Sequence, residues 1–144
     1  MTVRGRTVDD LECIILPAIK AAAQEIAVSY GAQVEMHHYE PLFKDMRQDK
    51  RLLDLFTDVM TEFDEAPRIL PDDEADGSTD VGNVSYEVPT AQPTLQIGLG
   101  LEAHTPEFTC AAGSDYGLDQ AIKGAKIMAV VALRYAMHKW CSIF

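Results

Sequence analysis

A chain of 144 residues that is 47% hydrophobic and 24% charged is long enough to bury one sizeable core, which sets intrinsic disorder aside. Twelve Lys and Arg against 23 Asp and Glu leave a formal charge of -11, which repels a phosphate backbone or an anionic bilayer and argues against nucleic acid and membrane surfaces as partners. Cys13, Cys110 and Cys141 form no Cys-x-x-Cys pair and no even set, so they read as reduced thiols of a cytoplasmic-type setting.

The first residues lack the apolar stretch of a signal peptide, and no segment approaches the roughly 18 to 20 apolar residues that span a bilayer. Thr7 with Asp10 three residues on resembles a capping box. It opens a helix with apolar residues at Val8, Leu11, Ile15, Ala18, Ala22 and Ile26 that ends near Gly31. Pro17 removes a backbone donor inside this helix and predicts a kink or a split. Alternation over residues 34–39, stopped by Pro41, predicts a strand with two dissimilar faces.

A second helix follows, with Leu52, Leu55, Phe56, Val59, Met60 and Phe63 as its buried stripe and Asp49, Lys50, Asp54, Asp58 and Glu62 mostly wet. Residues 64–76 are acidic, broken by Pro67 and Pro71, and aperiodic, so Asp64, Glu65, Asp73 and Glu74 read as solvated linker charges. Leu95, Ile97, Leu99 and Leu101 alternate with Gln and Gly as a further strand. A long helix from about Tyr116 closes the chain. Its expected buried face carries Leu118, Ile122, Ala125, Ala129, Ala132, Leu133 and Ala136.

Four histidines are candidates for chemistry. His104 stands in a loop-like segment directly after a predicted strand, a place that suits either a structural residue or a ligand. His37 and His38 are strand neighbours whose rings point to opposite faces, so they are no chelate. His138, near the end of the last helix, is explained by the helix dipole. The turn Gly77, Ser78, Thr79, Asp80 offers donors and a carboxylate for an anion or metal, or caps the short helix suggested by the residues after it; capping is the simpler reading.

Two segments, GSTDVGNVSY at 77–86 and HTPEFTCAAGS at 104–114, resemble the C-terminal signature of the metallopeptidase family M-twenty, especially its aminobenzoyl-glutamate hydrolase and dipeptidase-like branch. The resemblance implies that His104 is a zinc ligand and that Ser78, Thr79 and Asp80 lie beside the active site in support. Upstream, VRGRTVDDLE and AQVEMHHYEP resemble the end of that family's ferredoxin-like lid, which also mediates dimerisation. The implied fold class is α/β, with an α+β lid remnant over 1–43 and part of a zinc-peptidase catalytic domain over 44–144.

The implied function is hydrolysis of amide bonds in dipeptides, N-acyl amino acids or aminobenzoyl-glutamate by the complete protein, with zinc as cofactor and a homo-oligomer as the assembled form. The family's other zinc ligands, its bridging Asp and its general-base Glu precede the lid, and His-x-Asp occurs nowhere here. A fragment inactive on its own is therefore expected, and the alternative is a non-catalytic interaction module. A third possibility, a small enzyme built from His37 or His38, His104 and the linker carboxylates, needs those groups to meet. Apolar helix faces over residues 8–26 and 118–136 are expected to stay exposed, since each half lacks the strands that complete its sheet.

Overall fold

The structure, a computed structural model, describes residues 1–70 and 77–141, with side chains to residue 137. The chain forms two compact units, one of Met1–Arg47 with Asp76–Val88 and the other of Gln48–Ala75 with Pro89–Phe144.

The first unit begins with a helical turn, α1 (Val8–Asp10), whose N-cap Thr7 accepts the Asp10 amide at 3.1 Å, as the capping-box spacing predicts. A π-helical stretch, Leu11–Ile15, then passes into α2 (Leu16–Ser29), which has Pro17 in its first turn. The wider turn, with the Leu16 amide bonded to the Leu11 carbonyl, is how the helix absorbs the proline's missing donor and its clash with the preceding turn. The end of α2 is a Schellman motif. Gly31, at φ +65, supplies the left-handed residue, while the Ala32 and Gly31 amides bond back to the Ala27 and Val28 carbonyls at 2.8 and 3.0 Å.

Only the start of this helical run is packed. Val8 and Leu11 are buried and Ile15 half-buried, while Ala18 and Ala22 are exposed and Ile26 is 61% exposed. The expected stripe therefore continues outward, past the point where any described residue covers it.

A short helix, α3 (Lys50–Glu62), opens the second unit, with the Asp49 side chain accepting the Leu52 amide at 3.0 Å. Its six predicted apolar residues all enter the core. Val59 and Met60 are buried against Ile127 and Val131, with Leu52, Leu55, Phe56 and Phe63 packed around them. In the first unit α4 (Val81–Ser85) forms, and in the second α5 (Pro106–Ala112) is followed by α6 (Asp115–Cys141), which packs on α3.

Two expectations are corrected. Residues 34–39 and 94–101 join no sheet, and among the described residues no strand forms. Alternation specifies which side of a strand is apolar, but a strand exists only where a neighbour takes its N–H and C=O groups, and these two segments belong to different units. The buried face of α6 is also not the expected one: Ile127, Val131, Gln120 and Gly117 point inward, and Leu118, Ile122 and Leu133 outward. Both sides of this helix are apolar enough to be buried, and α3 selects the side whose branched residues fill its own stripe.

Candidate functional site

The segment 77–86 is built around backbone geometry. Gly77 has φ +127, a region closed to L side chains, and Thr79 Oγ1 accepts the Val81 amide at 3.3 Å. Capping of α4 thus falls to Thr79, while Asp80 occupies the N-cap position without a side-chain capping bond. Ser78 is exposed and lines a cleft of about 350 Å³ in the first unit, together with His37, His38, Lys20 and Gly77. That placement of Ser78 near the histidine pair is invisible to sequence spacing, because the residues lie about forty positions apart. His37 pairs with Glu35 at 3.3 Å in full solvent, which adds little.

Beyond the turn, the same segment clamps residues 42–47. Asn83 Oδ1 accepts the Lys44 amide at 2.8 Å while its Nδ2 donates to the Leu42 carbonyl at 2.9 Å, so one side-chain amide imitates a strand neighbour. Ser85 Oγ accepts the Arg47 amide at 2.9 Å. Gly82 is buried against the Lys44 carbonyl, leaving no room for a Cβ.

The Tyr86 hydroxyl donates to Asp45 Oδ1 at 2.8 Å, and the same oxygen accepts the Val8 amide at 2.8 Å, which places a carboxylate at the head of α1. Arg47 stacks 3.6 Å from the centroid of the Tyr86 ring and Lys44 lies 4.6 Å from it. Burial disfavours the charged form of Asp45, but the Val8 amide, the Tyr86 hydroxyl and Arg47 outweigh it and hold its pKa below the usual carboxylate value. Burial and the neighbouring carboxylate push the Tyr86 hydroxyl upward, keeping it a donor.

The segment 104–114 belongs to the second unit. His104 has φ +66, a left-handed conformation that costs a non-glycine residue on the order of 1 kcal/mol, and its side chain is exposed. The next residue, Thr105, caps α5 by accepting the Phe108 amide at 3.2 Å and donates to the Glu102 carbonyl at 2.7 Å, so the turn that presents His104 is tied on both sides. Ser114 Oγ accepts the Gly117 amide at 3.1 Å and donates to the Ala111 carbonyl at 2.7 Å, joining the end of α5 to the start of α6.

Ser78, Thr79 and Asp80 therefore stand in one unit and His104 in the other. Among the described residues no group of three or more His, Cys, Asp or Glu side chains gathers to hold a metal. Tetrahedral zinc needs three or four fixed protein ligands, and no such set gathers among the described residues. Asp73, Glu74 and the side chain of His138 lie outside the described residues.

Glu65 is a further correction. Rather than a solvated linker charge, it accepts from Lys123 at 2.6 Å and from the buried Gln120 at 3.5 Å, and Gln120 also donates to the Gln96 carbonyl at 3.0 Å. Its pKa is lowered chiefly by the Lys123 hydrogen bond. Glu62 is lowered in the same way by Arg134, with which it forms two bonds at 2.7 and 2.8 Å.

Because both folded pKa values lie below their unfolded ones, these pairs stabilise the second unit above the usual carboxylate range. That stability is lost as pH falls through the folded values. Thermal unfolding of the wild type is expected to show this acid decline, and Glu65→Gln to flatten it; an unchanged slope in the variant refutes the assignment.

No protein-family model matches the chain. It is 44% identical over 57 residues to a human protein named Xaa-Arg dipeptidase, a stretch that is 40% of this chain and 13% of that protein. The mouse protein of the same name matches with the same identity and coverage. The similarity is partial and supports a peptidase-related origin for this chain. Among the described residues, no helix is long and apolar enough to cross a membrane.

Proposed function

We propose that this chain is the C-terminal portion of a zinc-dependent amidohydrolase or dipeptidase of the metallopeptidase family M-twenty. In its complete form the protein cleaves amide bonds of dipeptides, N-acyl amino acids or aminobenzoyl-glutamate in the cytoplasm. The observation that carries the reading is the pair of signature segments at 77–86 and 104–114 in a chain that shares 44% identity over 57 residues with Xaa-Arg dipeptidase. The left-handed backbone at His104 supports it further, since strain of this kind is held where a side chain must be presented.

In this reading residues 1–43 end a ferredoxin-like lid, residues 44–144 belong to an α/β catalytic domain, and the unpaired segments 34–39 and 94–101 find strand partners in the remainder. His104 is the zinc ligand of this portion, with Ser78, Thr79 and Asp80 in support. Metal-assisted hydrolysis requires several ligands and a base around one ion, and this portion contributes a single histidine. The chain alone is therefore inactive.

Purified chain incubated with zinc and an Xaa-Arg dipeptide is expected to give no hydrolysis above a protein-free control and to retain far less than one zinc per chain after dialysis. Near-stoichiometric zinc and a hydrolytic rate that both vanish in His104→Ala overturn the inactive-portion reading.

One observation favours a second reading, a non-catalytic dimerisation or interaction module in which the lid-like half supplies the dimer surface: Ile14, Ile26 and Val28 of that half are 63%, 61% and 71% exposed. A well-folded, zinc-free dimer without hydrolytic activity supports that module.

A further inference from the structure

The second unit contains an apolar cavity of about 480 Å³ whose lining belongs wholly to that unit. Buried Met60, Ile127 and Gln120 line its interior, and exposed Gln92, Pro93 and Met128 line its mouth. Gln120 is 4% exposed, and its Nε2 donates to the Gln96 carbonyl at 3.0 Å and to the Tyr116 hydroxyl at 3.1 Å, with Glu65 a longer third contact at 3.5 Å. Both amide hydrogens are thereby engaged, and turning the amide over would set its oxygen against the Gln96 carbonyl.

The other end of that amide, Oε1, accepts no hydrogen bond among the described residues, and no side-chain polar atom of theirs is sealed from solvent without a partner. Oε1 therefore keeps access to open space, and the cavity is the space that Gln120 lines. Gly117 and Gly124 flank Gln120 about one turn away on either side along α6 and line the same cavity. A Cβ at Gly117 would run into the Ala111 carbonyl oxygen, so the packing of α5 on α6 accounts for it. Gly124 has no such reason, since a Cβ there meets only the end of the Leu95 side chain, at 3.2 Å. Glycine weakens a helix interior relative to alanine, and what its missing side chain provides at this position is room beside Gln120.

We infer that this cavity is a binding site for a small, uncharged ring compound carrying a single N–H or O–H donor, which Gln120 Oε1 accepts. Size, charge and polarity each narrow the class. An apolar cavity of roughly 150 Å³ already takes benzene, so one of about 480 Å³ admits a fused two-ring molecule. None of the lining side chains is ionisable, so a charged group would lose its hydration with nothing in return. A ring without a donor would cover Oε1 and leave it unpaired, and one with several polar groups would leave the surplus unpaired.

The test titrates the full chain with indole and with benzothiophene, which has sulfur in place of the indole N–H, by isothermal calorimetry. Indole is expected to bind once per chain with a dissociation constant on the order of 100 µM, and benzothiophene about three- to tenfold more weakly, the contribution of one neutral hydrogen bond. Nuclear Overhauser contacts are expected from indole to the methyl groups of Met60 and Met128. Gly124→Leu, and separately Ala121→Leu, fill the cavity and are expected to weaken indole binding at least about tenfold with helical circular dichroism unchanged. Gln120→Met is expected to bring the two probes to equal affinity.

A wild type without saturable indole binding, or without those methyl contacts, overturns the site, as does binding that both leucines leave untouched. Equal affinity for the two probes in the wild type, or an unchanged preference in Gln120→Met, overturns Gln120 as the anchor. Neither zinc nor His104 enters these measurements, so their outcome is independent of the hydrolase reading.

Discussion

Replacing Ile127 by alanine is expected to destabilise the second unit by about 3 kcal/mol, while Leu133→Ala on the same helix changes stability by less than about 0.5 kcal/mol at concentrations where the chain is monomeric. The contrast follows from burial. Ile127 is 3% exposed and sits in one cluster with Val59, Met60 and Val131, whereas Leu133 is 66% exposed. Truncating Ile127 removes three carbons from the packed interior and leaves a cavity that its neighbours fill only in part.

The value falls in the lower half of the range for such changes because Ile127 also borders an apolar cavity of about 480 Å³ shared with Phe56, Met60 and Leu95, so part of its surroundings can relax. In a unit of this size about 3 kcal/mol lowers the thermal midpoint by more than 10 °C. Calorimetry of the two variants decides which face of α6 is the inner one. Equal losses, or a larger loss at Leu133, refute the packing described.

Gly82→Ala is expected to destabilise the first unit by about 2 to 3 kcal/mol, the upper range for overpacking. A Cβ at Gly82 would overlap the Lys44 carbonyl oxygen and come within 3.0 Å of its carbon. The obstacle is backbone, which cannot rotate aside as a side chain can, so α4 must withdraw from residues 42–47. Withdrawal stretches the two Asn83 bonds, the Ser85 bond to the Arg47 amide and the Tyr86 bond to Asp45 together.

Gly31→Ala serves as the comparison. It is strained by its φ of +65 but meets nothing within 4 Å, and so costs about 1 kcal/mol. Denaturant unfolding followed by circular dichroism separates the two, and a Gly82→Ala chain no less stable than Gly31→Ala would falsify the clamp. Of the segment 77–86, then, Thr79, Gly82, Asn83, Ser85 and Tyr86 have a structural task, and in the proposed reading Ser78 and Asp80 are the side chains that remain for the active site.

Local signals were legible in the residues themselves. The Thr7 cap, the disruption at Pro17, the stop at Gly31 and the whole apolar stripe of α3 each depend on neighbours within about four positions, and the structure forms each of them. Caps, prolines and left-handed glycines act through backbone bonds closed inside one turn, so no distant residue is needed to decide them. The short helix after the Gly77 turn was legible for the same reason, although its capping oxygen belongs to Thr79.

What only the tertiary structure decided concerns choices between surfaces that are equally apolar or equally polar along the chain. α6 offers two burial-competent faces, and the one that turns inward is settled by α3. Glu65 looks like any linker acid until Lys123 and Gln120, more than fifty positions away, take its oxygen. The segments 34–39 and 94–101 have the pattern of strands but, among the described residues, no neighbouring strand to pair with, and pairing partners are a property of the assembled fold rather than of the segment. The site is divided in the same way. Its motifs are readable one at a time, but a metal centre requires several side chains to converge, and the described residues bring no such group together.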